Sequence, residues 1–321
     1  MRAVVVTSAG GPGAVRVRDL PEPVCDPDQV LIDVRAAGVV YPDVLQSWGR
    51  YQTRFEFPFV LGQECAGVVR WAPERSSFRV GDRVAALLDI GAFAETVVAE
   101  ADRVLPLPDE VSFDEGACLP VNYLTAHFAL SVRGRLRAGE TVLVHGAAGG
   151  VGIACVQLAV ALGATVFAVT STPAKAALAR WAGAHEVLPA KEFRQQLAGR
   201  RVDVVVDPVG GDRFTDSLRC LSGEGRLLVV GFTAGQIPAV KVNRLLLTNT
   251  EVVGVGWGAY GLGRPGYAAQ QWAELLPWWE SRRLLPPIGE TFPFEDVEKA
   301  LAAVDERRAL GKIVLRPGKW R

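Results

Sequence analysis

The sequence predicts an α/β protein in which a doubly wound parallel sheet is joined to a compact, partly open β-barrel. Three observations predict it. The chain has 321 residues, room for two domains at about 100–200 residues each. Residues 1–118 read as short strands punctuated by Gly and Pro, whereas from Leu119 onward Val/Leu/Ile runs alternate with amphipathic helical stretches, the pattern of a parallel sheet covered on both faces. Between Thr141 and Ala159 an apolar run enters a cluster of glycines, and a helical pattern follows at once.

In the first part, VLIDVRAAGVV (Val30 to Val40) is mostly alternating and β-rich. ECAGVVRWA, DRVAALL and AETVVA are further strands, with GD and DIG turn signals between them. The one stretch of helical period there follows Pro42. In the second part TVLVH is a strand and VGIACVQLAVAL a helix stopped by Gly163. ATVFAVT is a strand, and PAKAALARWA a helix with Pro173 in its first turn and Thr172 or Ser171 as its cap. VDVVVD is a strand, RFTDSLRCL a helix ended by Gly223, and RLLVVGF and EVVGVGW are strands. The tail from Pro293 reads as a helix and a strand with no place in the parallel sheet. The expected domains are therefore 1–118, with 259–321 returning to it, and 119–258.

Composition excludes several classes. The 35 basic and 35 acidic side chains cancel, so the basic excess of a polyanion binder is missing. Hydrophobic residues at 49% and charged residues at 22% argue against a disordered or fibrous chain. The five cysteines (Cys25, Cys65, Cys118, Cys155, Cys220) form no close pair, against a disulfide framework and for a reducing compartment. No apolar run approaches the roughly 18 residues that span a bilayer, and MRAVVVTSAGGPG is not a signal peptide. A soluble cytoplasmic protein is expected.

The sharpest motif is TVLVHGAAGGVGIACVQLA. A buried strand runs into Gly146, Gly149, Gly150 and Gly152, with Ala148 before Gly149 and Val151 opening the helix, a variant of G-x-G-x-x-G. Glycines allow a tight turn and close approach of a pyrophosphate to the free amides of a helix N-terminus. The bland alternative is a tight β–α turn that binds nothing. The end of the next strand selects the cofactor. An NAD enzyme usually carries an acid about 20 residues after the fingerprint. Here stand Thr170, Ser171, Thr172 and the cationic Lys175, with no acid between Glu140 and Glu186. Hydroxyls and a cation suit a 2′-phosphate, hence NADPH. The alternative is that Ser171 and Thr172 only cap the next helix and Lys175 is a solvated charge.

At this point the chain resembles the medium-chain dehydrogenase/reductase superfamily, and in particular its zinc-free quinone oxidoreductase (zeta-crystallin-like) group. The resemblance runs through AAGVVYPDVLQSWGRYQ, PFVLGQECAGVV, GDRVAAL, LPVNYLTAHFAL, the glycine turn, VVVDPVGG, VVGFTAGQIP and ALGKIVLRP. It implies a GroES-like catalytic domain made from both chain ends, a Rossmann domain between them, and a cofactor in the intervening cleft. Members are usually homodimers or tetramers joined through the last Rossmann strand, here EVVGVGW; a homodimer is expected. No metal is expected. An open zinc site needs three protein ligands, yet the Gly-His-Glu motif of the zinc branch reads Gly62, Gln63, Glu64, and its first cysteine ligand falls near Val39 or Val40. No cysteine occurs between Cys65 and Cys118, and His127, His145 and His185 lack ligand spacing.

Without a Lewis acid, hydride addition to an already electrophilic acceptor is the easy reaction, helped mainly by positioning. By resemblance, Tyr51 matches a tyrosine that is a proton-donor candidate in enoyl thioester reductases; an aromatic wall of the pocket is the favoured role. Tyr41 points the same way or packs in the barrel. Thr125 matches a threonine near the nicotinamide. Val209 has backbone that could touch the nicotinamide, and Gly231, Phe232 and Thr233 sit at a strand end where open sheets bind ligands. The leading function is an NADPH-dependent quinone reductase acting on a small electrophilic acceptor, with no nucleic-acid or membrane partner. An enoyl-CoA or enoyl thioester (or enone) reductase is the alternative, with Arg50, Arg54 and Arg264 as possible CoA-phosphate contacts. The third reading is a noncatalytic, crystallin-like NADPH-binding protein.

Overall fold

A computed structural model describes residues 1–318. Two units separate: Met1–Val121 together with the chain from Arg264 onward, and Asn122–Gly263. In the first unit β1 (Arg2–Val6) and β2 (Val15–Asp19) form an antiparallel ribbon. β3 (Gln29–Val39) alternates half-buried and buried residues up to Ala36, as a strand with one core face must. α1 (Tyr41–Ser47) follows it directly, and the two-residue β4 (Phe59–Val60) pairs with β1. β5 (Glu64–Trp71) and β7 (Thr96–Glu100) both pair antiparallel with β3, β6 (Arg83–Leu87) pairs with β5, and β8 (Val104–Pro106) with β6. α2 (Phe113–Gly116) starts in a capping box of Ser112 and Glu115.

In the second unit α3 (Pro120–His127, its first two residues in the first unit) passes into a π-turn at Phe128–Arg133. Then alternate β9 (Thr141–His145), α4 (Gly150–Ala161), β10 (Thr165–Thr170), α5 (Pro173–Trp181), β11 (Glu186–Pro189), α6 (Phe193–Gln196), β12 (Val202–Asp207), α7 (Phe214–Cys220), β13 (Leu221–Val229), α8 (Asn243–Thr248), β14 (Glu251–Gly254) and α9 (Trp257–Gly261). The strands lie in the order β11-β10-β9-β12-β13-β14, every pair parallel. That is the 3-2-1-4-5-6 order of a dinucleotide-binding sheet, with its switch point between β9 and β12. Val142, Leu143, Val144, Val204, Val205 and Val206 are all fully buried, which is why these strands read as continuous apolar runs.

Several details differ from the sequence reading. The helix expected to stop at Gly223 ends at Cys220, and Leu221 goes straight into extended backbone. Gly223 lies inside β13, in an irregular stretch between the Val202–Leu221 and Val204–Arg226 pairs. β11 and α6 are additions to that reading; each is four residues long, too short to show a period.

The chain then returns to the first unit as α10 (Tyr267–Glu280), β15 (Ile288–Pro293), α11 (Val297–Asp305) and β16 (Lys312–Arg316). β16 lies antiparallel to β3, pairing Ile313 with Val39 and Leu315 with Ala37, and parallel to β15 on its other side. α10 is absent from the sequence reading. Pro277 in its last turn argues against a helix, but buried Trp272 and Trp279 anchor it, and the Trp272 indole donates to the Pro106 carbonyl at 2.8 Å. Among the described residues no helix is long and apolar enough to cross a membrane.

Candidate functional site

In the second unit β9 ends at His145, and Gly146 turns the chain with φ +57. Gly149 is an extended N-cap of α4 with no side-chain hydrogen bond, so the first-turn amides of that helix face outward without a protein cap. The turn leaves Gly149 exposed and Gly146, Gly150 and Val151 half-buried, with Ala148 buried beneath. Gly152 packs against the turn itself: a Cβ there would stand 2.1 Å from the Gly146 carbonyl oxygen. At Gly150 a Cβ would meet Asn122 Oδ1 at 2.4 Å. At Gly149 nothing is closer than 3.4 Å. Crowding beneath and open space above make a cradle that fits a diphosphate.

β10 leads Thr170, buried, to exposed Ser171 and Thr172. Thr172 caps α5, its Oγ1 accepting from the Lys175 amide at 3.3 Å, and the Lys175 side chain is half-buried. The cap does not exhaust Thr172, whose hydroxyl hydrogen stays available.

The loops after β12 and β13 interlock. Asp207 Oδ1 accepts from the amides of Val209 and Gly210, both at 2.9 Å. Burial raises its pKa, and those two bonds oppose the rise. Thr233 and Ala234 donate to the carbonyls of Pro208 and Val209 at 3.1 and 2.9 Å. A Cβ on Gly210 would touch Phe232 Cδ1 at 2.9 Å, and one on Gly146 would lie 3.2 Å from Val209 Cγ2. The glycine turn, Val209 and the Gly231–Phe232–Thr233 run are thus gathered at the carboxyl ends of β9, β12 and β13, beside the switch point. Thr125 lies half-buried on α3, which the Tyr123 hydroxyl ties to α4 by donating to Gln157 Oε1 at 2.6 Å.

His145 is structural. Ser217 Oγ donates to the Arg213 carbonyl at 2.9 Å, so the 2.7 Å contact between His145 Nε2 and Ser217 Oγ carries its proton on Nε2. Burial, with Arg213 nearby, lowers its pKa to about 3 and keeps it neutral.

In the first unit Tyr41 and Tyr51, both half-buried, bracket α1. Asp43 caps that helix, Oδ2 accepting from the Val40 amide at 2.8 Å. It is fully buried, its Oδ1 meets no protein partner, and desolvation pushes its pKa up to about 8. Burial likewise raises the Tyr51 phenol, against a hydrogen bond from Gln63. Sequence reasoning missed the neighbouring buried pair: Lys312 Nζ lies 3.1 Å from Glu64 Oε1 and donates to the Val39 carbonyl at 2.9 Å, while Glu64 Oε2 accepts from the Val121 amide at 2.8 Å. No local signal announces a pair 248 residues apart. Among the described residues no three His, Cys, Asp or Glu side chains converge to hold a metal ion.

Comparison with known proteins places this geometry. A family model for the alcohol dehydrogenase GroES-like domain matches residues 26–109, and one for zinc-binding dehydrogenases matches residues 150–281. Quinone oxidoreductase-like protein 2 of Bos taurus is 37% identical over 303 residues, 92% of this chain and 86% of that protein. A probable oxidoreductase from Mycobacterium abscessus superposes with a TM-score of 0.89 at 42% identity, covering 99% of both chains. The quinone oxidoreductase of Thermus thermophilus, solved alone and in complex with NADPH, superposes with a TM-score of 0.85 at 37% identity over 98% of this chain and 100% of that one. With its sheet order, its glycine turn and these matches along both units, the chain belongs to the medium-chain dehydrogenase/reductase superfamily, in its quinone oxidoreductase group.

Proposed function

We propose that this NADPH oxidoreductase reduces a quinone-type acceptor without zinc. The observation that carries the reading is the gathering of the uncapped glycine turn, Val209 and Gly231–Thr233 at the switch point of the parallel sheet. NADPH, when bound, supplies the hydride. The chain's own residues bind and orient it. The amides of Gly150 and Val151, with Gly146, Ala148 and Gly149 shaping the turn, hold the diphosphate. Thr170, Ser171, Thr172 and Lys175 receive the 2′-phosphate, a cation and hydroxyls where NAD enzymes place an acid. The backbones of Val209, Gly231, Phe232 and Thr233 meet the nicotinamide, and Thr125 supports it from α3. Tyr51 and Tyr41 form the acceptor wall. A quinone needs only placement and exclusion of water beside the reduced ring; its protons come from solvent. Gln63 offers no imidazole to a metal, and Glu64 is neutralised by Lys312, which supports a zinc-independent reaction. A second copy pairs through the edge strand β14.

The test is NADPH oxidation screened over quinones, enones and enoyl-CoAs, with and without chelator. Quinones should be turned over best and chelator should change nothing. Turnover dominated by enoyl-CoA would move the protein to the thioester reductases. One zinc per chain, lost together with activity, would overturn the metal-free reading.

A further inference from the structure

Arg50 is a cation held in place and left without a counter-ion. Beyond α1 the chain turns left-handed at Gly49, φ +63, and the amides of Gly49 and Arg50 donate to the Gln46 and Leu45 carbonyls at 2.9 and 2.8 Å. The backbone at Arg50 is thus tied to the helix end. Trp48 sets the direction of its side chain. The half-buried indole packs on Gly11, where a Cβ would run into the ring, and its Nε1 donates to Asp305 Oδ2 at 3.0 Å. Over this fixed ring stands the Arg50 guanidinium carbon, 5.1 Å from the centroid, inside the reach of a cation–π contact.

Arg2, Arg70, Arg103 and Arg316 of the same unit each reach a carboxylate. Arg50 does not: among the described residues its side chain makes no ion pair and no hydrogen bond, and Asp305 bonds the indole instead. A guanidinium held by its face keeps its N–H donors at the edge, in the fork that matches a carboxylate, sulfonate or phosphate. The indole also shields one face from water, so an anion there gains more than at a free surface arginine. The setting is cationic. Arg54, three residues beyond Tyr51, is exposed and equally unpaired among the described residues, and Glu56 is the one acid between residues 49 and 56.

We propose that Arg50 is a specificity-determining residue of the acceptor site: it receives an anionic substituent of the acceptor while Tyr51, the next residue, walls the ring. Arg54 adds to the field that draws the anion in. This rests on Tyr51 being the acceptor wall and deepens that reading. The acceptors selected are electrophiles that carry a carboxylate, sulfonate or phosphate beside the reducible group.

The experiment compares the whole protein with Arg50→Gln and Arg50→Glu on matched acceptors: a naphthoquinone sulfonate against the parent naphthoquinone, and an enoyl-CoA against the same enoyl group on N-acetylcysteamine, which lacks the phosphates. The readout is the ratio of kcat/KM, charged over uncharged, so the intrinsic reactivity of each acceptor cancels between wild type and variant. Arg50→Gln should lower that ratio by about 3- to 20-fold, between the worth of an exposed ion pair and of a hydrogen bond to a charged group, mainly through KM. Arg50→Glu should lower it further, and the wild-type ratio should fall as salt rises. A shift confined to the quinone pair assigns the anion to a ring substituent, and one confined to the thioester pair assigns it to a phosphate of CoA; either supports the proposal. Ratios equal in wild type and both variants for both pairs overturn it. Separately, a Tyr51→Ala protein with unchanged KM for every acceptor overturns the acceptor-wall reading, while the charge ratio still decides the role of Arg50.

Discussion

Replacing Lys312 by methionine isolates the value of one buried charge. Lys312 is 4% exposed and Glu64 fully buried, and their contact ties β16 to the start of β5, the end of β3 and the first turn of α3. Methionine keeps most of the apolar stem and removes the ammonium. Glu64 is then left without a counter-ion, in a place where desolvation already raises its pKa. Breaking a buried pair by removing one partner costs about 3–5 kcal/mol. At about 2–4 °C per kcal/mol for a folding unit of this size, Tm should fall by roughly 6–20 °C. The sign with pH follows. Without Lys312 the folded pKa of Glu64 rises further above its unfolded value of about 4.3, so the folded variant holds a proton that the unfolded chain has lost, and stability declines as pH rises through that window. The gap to wild type should therefore be wider near about pH 8 than near about pH 5. Adding Glu64→Gln removes the orphaned charge yet keeps an acceptor for the Val121 amide, and should recover most of the loss. Urea and thermal unfolding of wild type, the single variant and the double variant at both pH values is the assay. A single variant within about 1 kcal/mol of wild type, the scale of a surface pair, or a double variant no better than the single, would sink this account of the pair.

Lys175→Ala should raise KM for NADPH by on the order of 10- to 100-fold and leave NADH nearly unchanged, since a bond to a charged group is worth about 1.5–3 kcal/mol; the effect should shrink in salt, and equal losses for both cofactors would count against the 2′-phosphate assignment. Tyr51→Phe should cost less than about 10-fold in kcat and Tyr51→Ala more; a loss of about 10²–10⁴-fold in the phenylalanine variant, the range of general acid catalysis, would make Tyr51 a proton donor instead of a wall. Asp43→Asn should flatten the dependence of stability on pH. With a folded pKa of about 8 against roughly 3.9 unfolded, wild type loses stability between those values by up to about 1.4 kcal/mol per unit. Parallel denaturation profiles for the two proteins would contradict that.

The features legible in the linear chain are those carried by local signals. TVLVH, TVFAVT and VDVVVD are apolar at every face, so they had to be interior strands of a parallel sheet, and they are β9, β10 and β12. Gly163, with φ +83, stops α4, and Thr172 caps α5. The glycine turn was legible for the same reason: strand, glycines and helix are contiguous. Long-range packing set the rest. β11 is a strand because β10 pairs with it, not because four residues show a period. RFTDSLRCL ends three residues before Gly223 because Leu221 finds a partner in Val202. Asp43 caps α1, but its complete burial follows from the elements packed over that helix. Lys312 looked like part of a tail strand; β16 beside β3 brings it to Glu64. Gln63 was legible only as the residue standing where a histidine was missing. Periodicity and capping are set by neighbours a few residues away, and a single chain displays them directly. Burial, charge pairing and the aim of a side chain depend on which distant segments come within a few ångströms, and only the folded chain sets those distances.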